Sequence, residues 1–352
     1  MTASTVDLRR VGEPGQPCLI IAEAGVNHNG DMALALKLVD AARQAGADAV
    51  KFQTFKASLL ASRSAPKAAY QLRSTDAGES QQAMLERLQL SRADHLPLME
   101  RCHAAGMAFL SSPFDLESLA LLDSLGLPAL KIPSGEITNP EFLKAAARLG
   151  KPIILSTGMS WLGEVEAAVR AIEDAGNPPL VLLHCVSAYP SDPADSNLRA
   201  METLARAFGK PVGWSDHTMG IETSLAAVAL GACVVEKHFT LDCSMPGPDH
   251  RASLEPDGLA ALVRGVRIVE SALGDGLKRP ARSEADTARV ARKSLTAARD
   301  IRAGEALSGA MVLVRRPGDG LSPSSLELLL GRRAAQDIPE GSLLSLDHFT
   351  KP

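Results

Sequence analysis

Two histidines in one short stretch carry the strongest chemical signal in the chain. His217 and His238 each stand at the C-terminal end of an apolar, strand-like run, GWSDH and CVVEKHF, and one helix-length segment, residues 221–230, lies between them and stops at Gly231. That is a β-α-β unit, whose right-handed crossover makes the two strands parallel and usually adjacent. Side chains alternate faces along a strand, so Ser215 shares a face with His217 and Glu236 with His238, while Lys237 points the other way. Adjacent strands run about 4.8 Å apart, so two imidazoles at matching heights can reach one divalent metal ion. Spacing alone leaves a second reading open, a pair of satisfied core histidines.

Other polar residues recur at strand ends: Glu23, Lys51 with Gln53, Ser112, Lys131 with Ser134, then Ser187 and Tyr189 after the sixth strand. In a parallel barrel the C-terminal strand ends form the catalytic face, and the interior otherwise takes bulky apolar side chains. Two lysines facing such an interior need an anionic partner, which a phosphorylated carboxylic acid would supply. A plainer reading pairs Lys51 with Glu23 in a salt bridge. His184 in LVLLHC reads as a core histidine, and His28 in GVNHNG as a loop stabiliser.

The elements that must position these residues follow from hydrophobic pattern and punctuation. Eight β-rich apolar runs precede residue 240, at 18–24, 49–53, 107–112, 129–134, 152–157, 180–185, 211–215 and 233–239. Helix-like segments alternate with them, including 32–45, 117–125, 141–149 and 163–175, with a last barrel helix at 256–273. Glycines 46, 106, 126, 150, 176, 209 and 231 fit the left-handed position just past a helix end. The pattern predicts an α/β fold, a (β/α)8 TIM barrel over residues 1–275. An open doubly wound sheet is the competitor, disfavoured because no GxGxxG follows the first strand. Residues 55–90 are polar and read as an excursion over the barrel mouth. Residues 276–289 concentrate Gly, Pro and charge as a linker does, and 290–352 form a small β-rich domain with a weak repeat, AARDIRAGEALS at 297–308 and AAQDIPEGSLLS at 334–345. Within it, VRRPGDG at 314–320 sets two cations beside a tight turn.

Composition narrows the class. The chain has 352 residues, 45% hydrophobic and 22% charged, with a formal net charge of -4 and a pI near 6.1. No basic block is interleaved with aromatics, so small molecules rather than nucleic acid are the expected partners. No secretory h-region or membrane-length apolar run appears, and five cysteines without CxxC spacing suit a reducing cytoplasm.

Together, IAEAGVNHNGD, AGADAVKFQTF, SSPFD, KIPSGE, ILSTGM, LLHCVSAYP, GWSDHT, VVEKHFT, PGPDHRASLEP and VRRPGDG resemble the sialic acid synthase family, from about Cys18 to Phe349. The resemblance implies a barrel joined to a small SAF (antifreeze-like) domain, in a domain-swapped homodimer. It implies metal binding by His217 and His238, with Mn2+ or Mg2+ as the cofactor. It implies that Lys51, Ser112, Lys131, Ser134, Ser187 and Ser215 hold phosphoenolpyruvate; where Ser187 stands, some members carry asparagine. Glu23, Gln53, Tyr189 and Asp249 match positions at an N-acylated amino sugar, Glu23 being also the acid/base candidate, and Arg316 matches the arginine supplied by a partner's SAF domain. The implied reaction is that of an N-acetylneuraminate synthase acting on N-acetylmannosamine. The alternative is a legionaminate synthase acting on 2,4-diacetamido-2,4,6-trideoxymannose; the pseudaminate branch is less close. A Schiff-base aldolase using Lys51 or Lys131 is a chemical rival, an amidohydrolase lacks its HxH pair on the first strand, and a non-catalytic binder is the alternative outside enzymes.

Overall fold

The computed structural model describes residues 7–350 except 69, 70, 73, 74 and 77. Those five positions of the expected excursion, and the terminal residues, lie outside the described residues. The chain divides into two compact units, a first ending at Gly274 and a second beginning at Asp275.

In the first unit, eight parallel strands alternate with helices: β1 Leu19–Gly25, β2 Ala49–Thr54, β3 Ala108–Pro113, β4 Leu130–Ile132, β5 Ile153–Ser156, β6 Leu180–Cys185, β7 Val212–Asp216 and β8 Val234–His238. The ladder order is β3-β2-β1-β8-β7-β6-β5-β4, so the first strand pairs with the last. That pairing closes a (β/α)8 barrel, with β3 and β4 adjacent at the seam. Strand β4 is shorter than its apolar run because Pro133 has no N–H to extend the ladder. Ser134 consequently sits in a tight 3-10 turn.

Around the barrel run α1 Met32–Ala45, α4 Arg92–Ala104, α5 Leu116–Ser124, α6 Pro140–Arg148, α7 Leu162–Ala175, α8 Ala200–Phe208, α9 Glu222–Ala229 and α10 Pro256–Leu273; the excursion carries α2 Ala57–Leu60 and α3 Gln81–Leu88. Local chemistry sets their ends. Asp31 accepts from the Ala33 and Leu34 amides at the start of α1, and Gly46 closes it at φ 85°. Gly176 departs from that pattern. Its φ is 178°, an extended conformation open to any residue, and the left-handed position falls on Asn177 at φ 45°. Glycine stands there for space: a Cβ would meet the Ala147 carbonyl oxygen at 2.6 Å.

Strand alternation sorts the core. Ile20, Ala22, Val50, Phe52, Phe109 and Val235 face the helix layer. Leu19, Ile21, Ala49, Leu110, Ile154, Val181, Leu183 and Val234 fill the barrel interior, closed by Leu8 and Val11 from the N-terminal segment. Filled below by apolar side chains, the interior turns polar only at the C-terminal strand ends.

The second unit contains an antiparallel pair, β9 Ser294–Ala297 with β10 Val312–Arg315, around a core that includes Leu295, Ile301, Leu307, Leu329, Ile338 and Leu344. The sequence repeat has a structural meaning. Ile301 and Ile338 exchange backbone hydrogen bonds at 2.9 and 2.8 Å, so the two frames pair antiparallel at matching positions. Residues 276–289 differ from the expected linker: α11 Ala285–Ala291 begins inside them and belongs with the second unit.

Candidate active site

Each strand contributes inward-facing residues at its C-terminal end, and these meet in one cavity of ≈ 470 Å³. Lys51 lies at its floor, 2.8 Å from Glu23 Oε2 and 3.7 Å from Glu236 Oε2, and donates to Ser112 Oγ at 3.0 Å. Lys131 lies 3.4 Å from Glu236 Oε1, which also accepts from Ser215 Oγ at 3.1 Å. Gln53 Nε2 donates to Glu23 Oε1 at 3.2 Å. All five of Glu23, Lys51, Lys131, Ser215 and Glu236 are buried. The salt bridge read between Lys51 and Glu23 is therefore present, and the protein itself supplies the anions that two inward lysines require.

The charge states within this cluster are uneven. Burial pushes Glu23 up to about 7, only partly offset by Lys51. For Glu236 burial is outweighed by Lys131 and Lys51, and its carboxyl is held below the usual range. Lys51 is held above its ordinary value by Glu23 and Glu236 in spite of burial, whereas burial lowers Lys131. With Lys51 protonated and Glu23 only partly ionised near neutral pH, the floor leans toward positive charge, a poise suited to an incoming anion.

Two residues further along the chain than Ser215 and Glu236, with His238 in register with Glu23, the rings of His217 and His238 lie 5.4 Å apart between centroids, with Tyr189 against both at 4.2 and 5.6 Å. His217 Nδ1 donates to the Val186 carbonyl at 2.7 Å, so Nε2 is the nitrogen left to bind a metal once the ring is neutral; in spite of burial, contacts with Cys185 and Val186 hold the ring above its ordinary value. His238 Nδ1 is buried without a hydrogen-bond partner, 3.8 Å from Asp249 Oδ2. Burial drives His238 well below its ordinary value and raises Asp249 to about 6. Among the described residues, no three His, Cys, Asp or Glu groups are arranged to hold a metal ion. Two imidazoles, one oriented by a carbonyl and one with an orphaned ring nitrogen, fit a divalent ion that keeps its remaining positions open.

Gly25 marks where the remaining groups converge: its ideal Cβ would stand 3.2 Å from Glu23 Oε1, 3.3 Å from Gln53 Nε2 and 3.5 Å from Asp249 Oδ2. Ser134 and Ser187 border the cavity on the β4 to β6 side, where the Gly158 amide donates to Ser134 Oγ at 2.9 Å. A Cβ at Gly158 would lie 2.4 Å from Ser187 Oγ, so this backbone approaches the hydroxyls as only glycine can. Arg316 belongs to the second unit, where it is exposed and its Nε donates to the Ala291 carbonyl at 3.1 Å.

Three contributors carry no assigned role in the sequence reading. Glu236 was placed on the inward face of its strand, but its bridge between two lysines depends on β4 and β2, distant in sequence. Ser156 ends β5 and lines the cavity; the strand-end rule that found Ser112 would have found it. Cys185, buried 3.9 Å from His217 Nδ1, reads from sequence as one more apolar position. His184 and His28 match their plainer readings: His184 Nε2 bonds the Ser196 carbonyl at 2.8 Å, and His28 Nδ1 accepts from the Gly30 amide at 3.0 Å.

The NeuB family matches residues 38–278 and the SAF domain residues 292–350. The chain is 50% identical to the N,N'-diacetyllegionaminic acid synthase of Campylobacter jejuni over 93% of its own length and 98% of the relative's. With the enzyme of the same name from Legionella pneumophila it shares 46% identity, over 94% of each. The crystal structure of the N-acetylneuraminic acid (sialic acid) synthetase from Leptospira borgpetersenii superposes with a TM-score of 0.68 at 38% identity, covering 77% of this chain and 90% of that one. The chain therefore belongs to the NeuB family, is an enzyme of the nonulosonate (sialic acid) synthase class, and carries a SAF domain.

Proposed function

We propose that this enzyme condenses phosphoenolpyruvate with the open-chain form of 2,4-diacetamido-2,4,6-trideoxymannose and water, giving a nine-carbon diacetamido acid of the legionaminate type and phosphate. N-acetylmannosamine, set first on sequence, becomes the alternative substrate, giving N-acetylneuraminate. The observation that carries this order is the 50% and 46% identity, over nine-tenths of the chain, to two proteins named as legionaminic acid synthases.

Lys51 and Lys131, with the hydroxyls of Ser112, Ser134, Ser187 and Ser215, hold the phosphate and carboxylate of phosphoenolpyruvate, acting by position and charge. His217 and His238 would hold Mn2+ or Mg2+, which when bound supplies Lewis-acid polarisation of the aldehyde oxygen. Gln53, Tyr189 and Asp249 orient the sugar. Attack of the enol carbon on the aldehyde forms the C–C bond and leaves positive charge at C2 of the phosphoenolpyruvate unit. Glu23, poised near neutrality, stabilises that charge and takes the proton from the water that adds there; in net balance that proton makes the former aldehyde oxygen a hydroxyl. Cleavage of the C–O bond then releases phosphate and leaves the keto acid.

Two carboxylates favour the protonated state of Lys51, which is unable to attack a carbonyl and argues against a Schiff base there; Lys131, lowered by burial, is where that rival has to be tested. On the family resemblance, Arg316 acts on the sugar of a partner subunit in a domain-swapped homodimer, with analytical ultracentrifugation of the full chain as its test. The deciding experiment mixes enzyme, Mn2+, phosphoenolpyruvate and each sugar, and follows phosphate and product mass. The expected result is faster turnover of the diacetamido sugar, with 18O from the C2 bridging position of phosphoenolpyruvate recovered in phosphate. Borohydride trapping of substrate on Lys51 or Lys131, or label retained in the keto acid, overturns the mechanism.

A further inference from the structure

The cavity has two unlike halves. Its floor is made of the buried ionic and hydroxyl groups of the strand ends, and its outer wall comes from the excursion and neighbouring loops. Leu60 stands at the end of α2, while Met84, Leu85 and Leu88 project from α3 beside Val26. Behind this wall Val26, Phe55, Ala57, Met84, Leu85 and Leu88 form their own apolar cluster, separate from the helix layer, with Leu60 packed against it. The polar members of the excursion's lining are the neutral Ser62, Gln71 and Gln81, and among its described residues the excursion's part of the wall has neither cation nor carboxylate.

The sugar's orientation follows from the chemistry. Its aldehyde carbon must lie at the floor, where the enol carbon is held, so the carbon chain extends outward toward the loops, of which the excursion's wall is one. We infer that this apolar wall selects an N-acylated amino sugar ending in a methyl group, a 6-deoxy sugar, over one ending in hydroxymethyl or in phosphate. A methyl buries against Leu60, Met84, Leu85 and Leu88 without loss. A hydroxymethyl gives up hydration there, and among the wall's described residues a phosphate meets no counter-charge. The inference rests on the proposed condensation and adds to it the residues that discriminate and the atom they read.

The test compares N-acetylmannosamine, its 6-deoxy analogue and its 6-phosphate, each with phosphoenolpyruvate and Mn2+, so that only the substituent at C6 changes. The expected kcat/KM for the 6-deoxy sugar exceeds that for the 6-hydroxy sugar by roughly 10–100-fold, the range open to an apolar pocket facing one added hydroxyl, with the 6-phosphate poorer still. In Leu85→Gln the ratio should fall toward one. Leu60→Gln, at a half-buried position, should lower it in the same direction, which guards against a Leu85 variant that fails to fold. Equal turnover of all three sugars by the native enzyme, or ratios unchanged in both variants, overturns the wall's role while leaving the condensation standing. Phosphate release with none of these sugars nor with the diacetamido sugar removes the condensation itself, and the wall's selectivity with it.

Discussion

Glu236 offers the sharpest test of the floor. It lies 3.4 Å from Lys131 and 3.7 Å from Lys51, accepts from Ser215, and its side chain is 5% exposed. At an effective dielectric near 20, unit charges at these separations attract by about 4–5 kcal/mol, much of it offset by the cost of burying them. Removing one partner of a buried pair costs about 3–5 kcal/mol, because the other charge stays behind. In Glu236→Gln, Lys51 keeps Glu23 at 2.8 Å, whereas Lys131 loses the one carboxylate paired with it among the described residues. The loss should therefore sit near the lower end, about 3 kcal/mol, and lower the barrel's melting transition by roughly 6–12 °C. Scanning calorimetry of the full chain is the assay. Phosphoenolpyruvate should restore more of the transition in Glu236→Gln than it adds to the native enzyme, since it replaces the missing anion. Combining Glu236→Gln with Lys131→Met should destabilise by about 1–3 kcal/mol less than the sum of the single changes. A transition lowered by less than about 2 °C, or strict additivity in the double variant, would refute the bridge as a structural necessity.

Other outcomes follow from the same geometry. His217→Ala should abolish turnover while leaving the circular dichroism melt unchanged, and isothermal titration should show weakened Mn2+ binding; substantial turnover by this variant in the presence of a chelator would count against the metal. Glu23, raised to about 7, should impose a limb on the pH–rate profile that rises through neutrality as the carboxylate forms, and Glu23→Gln should lose that limb along with most of its rate. His28 is buried and lowered from 6.5 to about 4, so the unfolded chain binds an extra proton between those values. Its contribution is fully present above about pH 6.5 and falls by about 3 kcal/mol as the pH drops to about 4, and urea titrations of His28→Asn should show a shallower slope across that window.

Much of this arrangement was legible beforehand because barrel strands announce themselves twice. Buried on both faces, β5 and β6 read as nearly continuous apolar runs, and the abrupt appearance of Lys51 in β2, Lys131 in β4 or His238 in β8 marks where the apolar filling stops. Helices with a wide apolar face and ordinary caps, such as α1 and α10, kept the bounds their sequence suggests. Legibility failed where pattern and partner part company. Helix α11 is exposed or nearly so along its length and offers no apolar periodicity, so its residues read as linker. At Gly176 a steric need was mistaken for a conformational one, because sequence cannot show the Ala147 carbonyl waiting beside it. The bridging of Glu236 and the wall built by Val26 with α3 depend on neighbours supplied by other turns of the chain, for which no local spacing exists.

The outward faces of β7 and β8 have a consequence for the inward ones. Asp216 and Lys237 stand opposite each other in the ladder and pair at 2.9 Å on the helix side, almost without exposure. Sliding β8 by a single residue would thrust Lys237 into the cavity and turn His238 toward the helices, stranding an aspartate in an apolar layer. The outer ion pair thus serves as a registration pin for the two imidazoles behind it. With alignment secured from outside, the inner positions are free to carry groups that repel one another or bind nothing at rest, which reactive centres need and ordinary cores exclude.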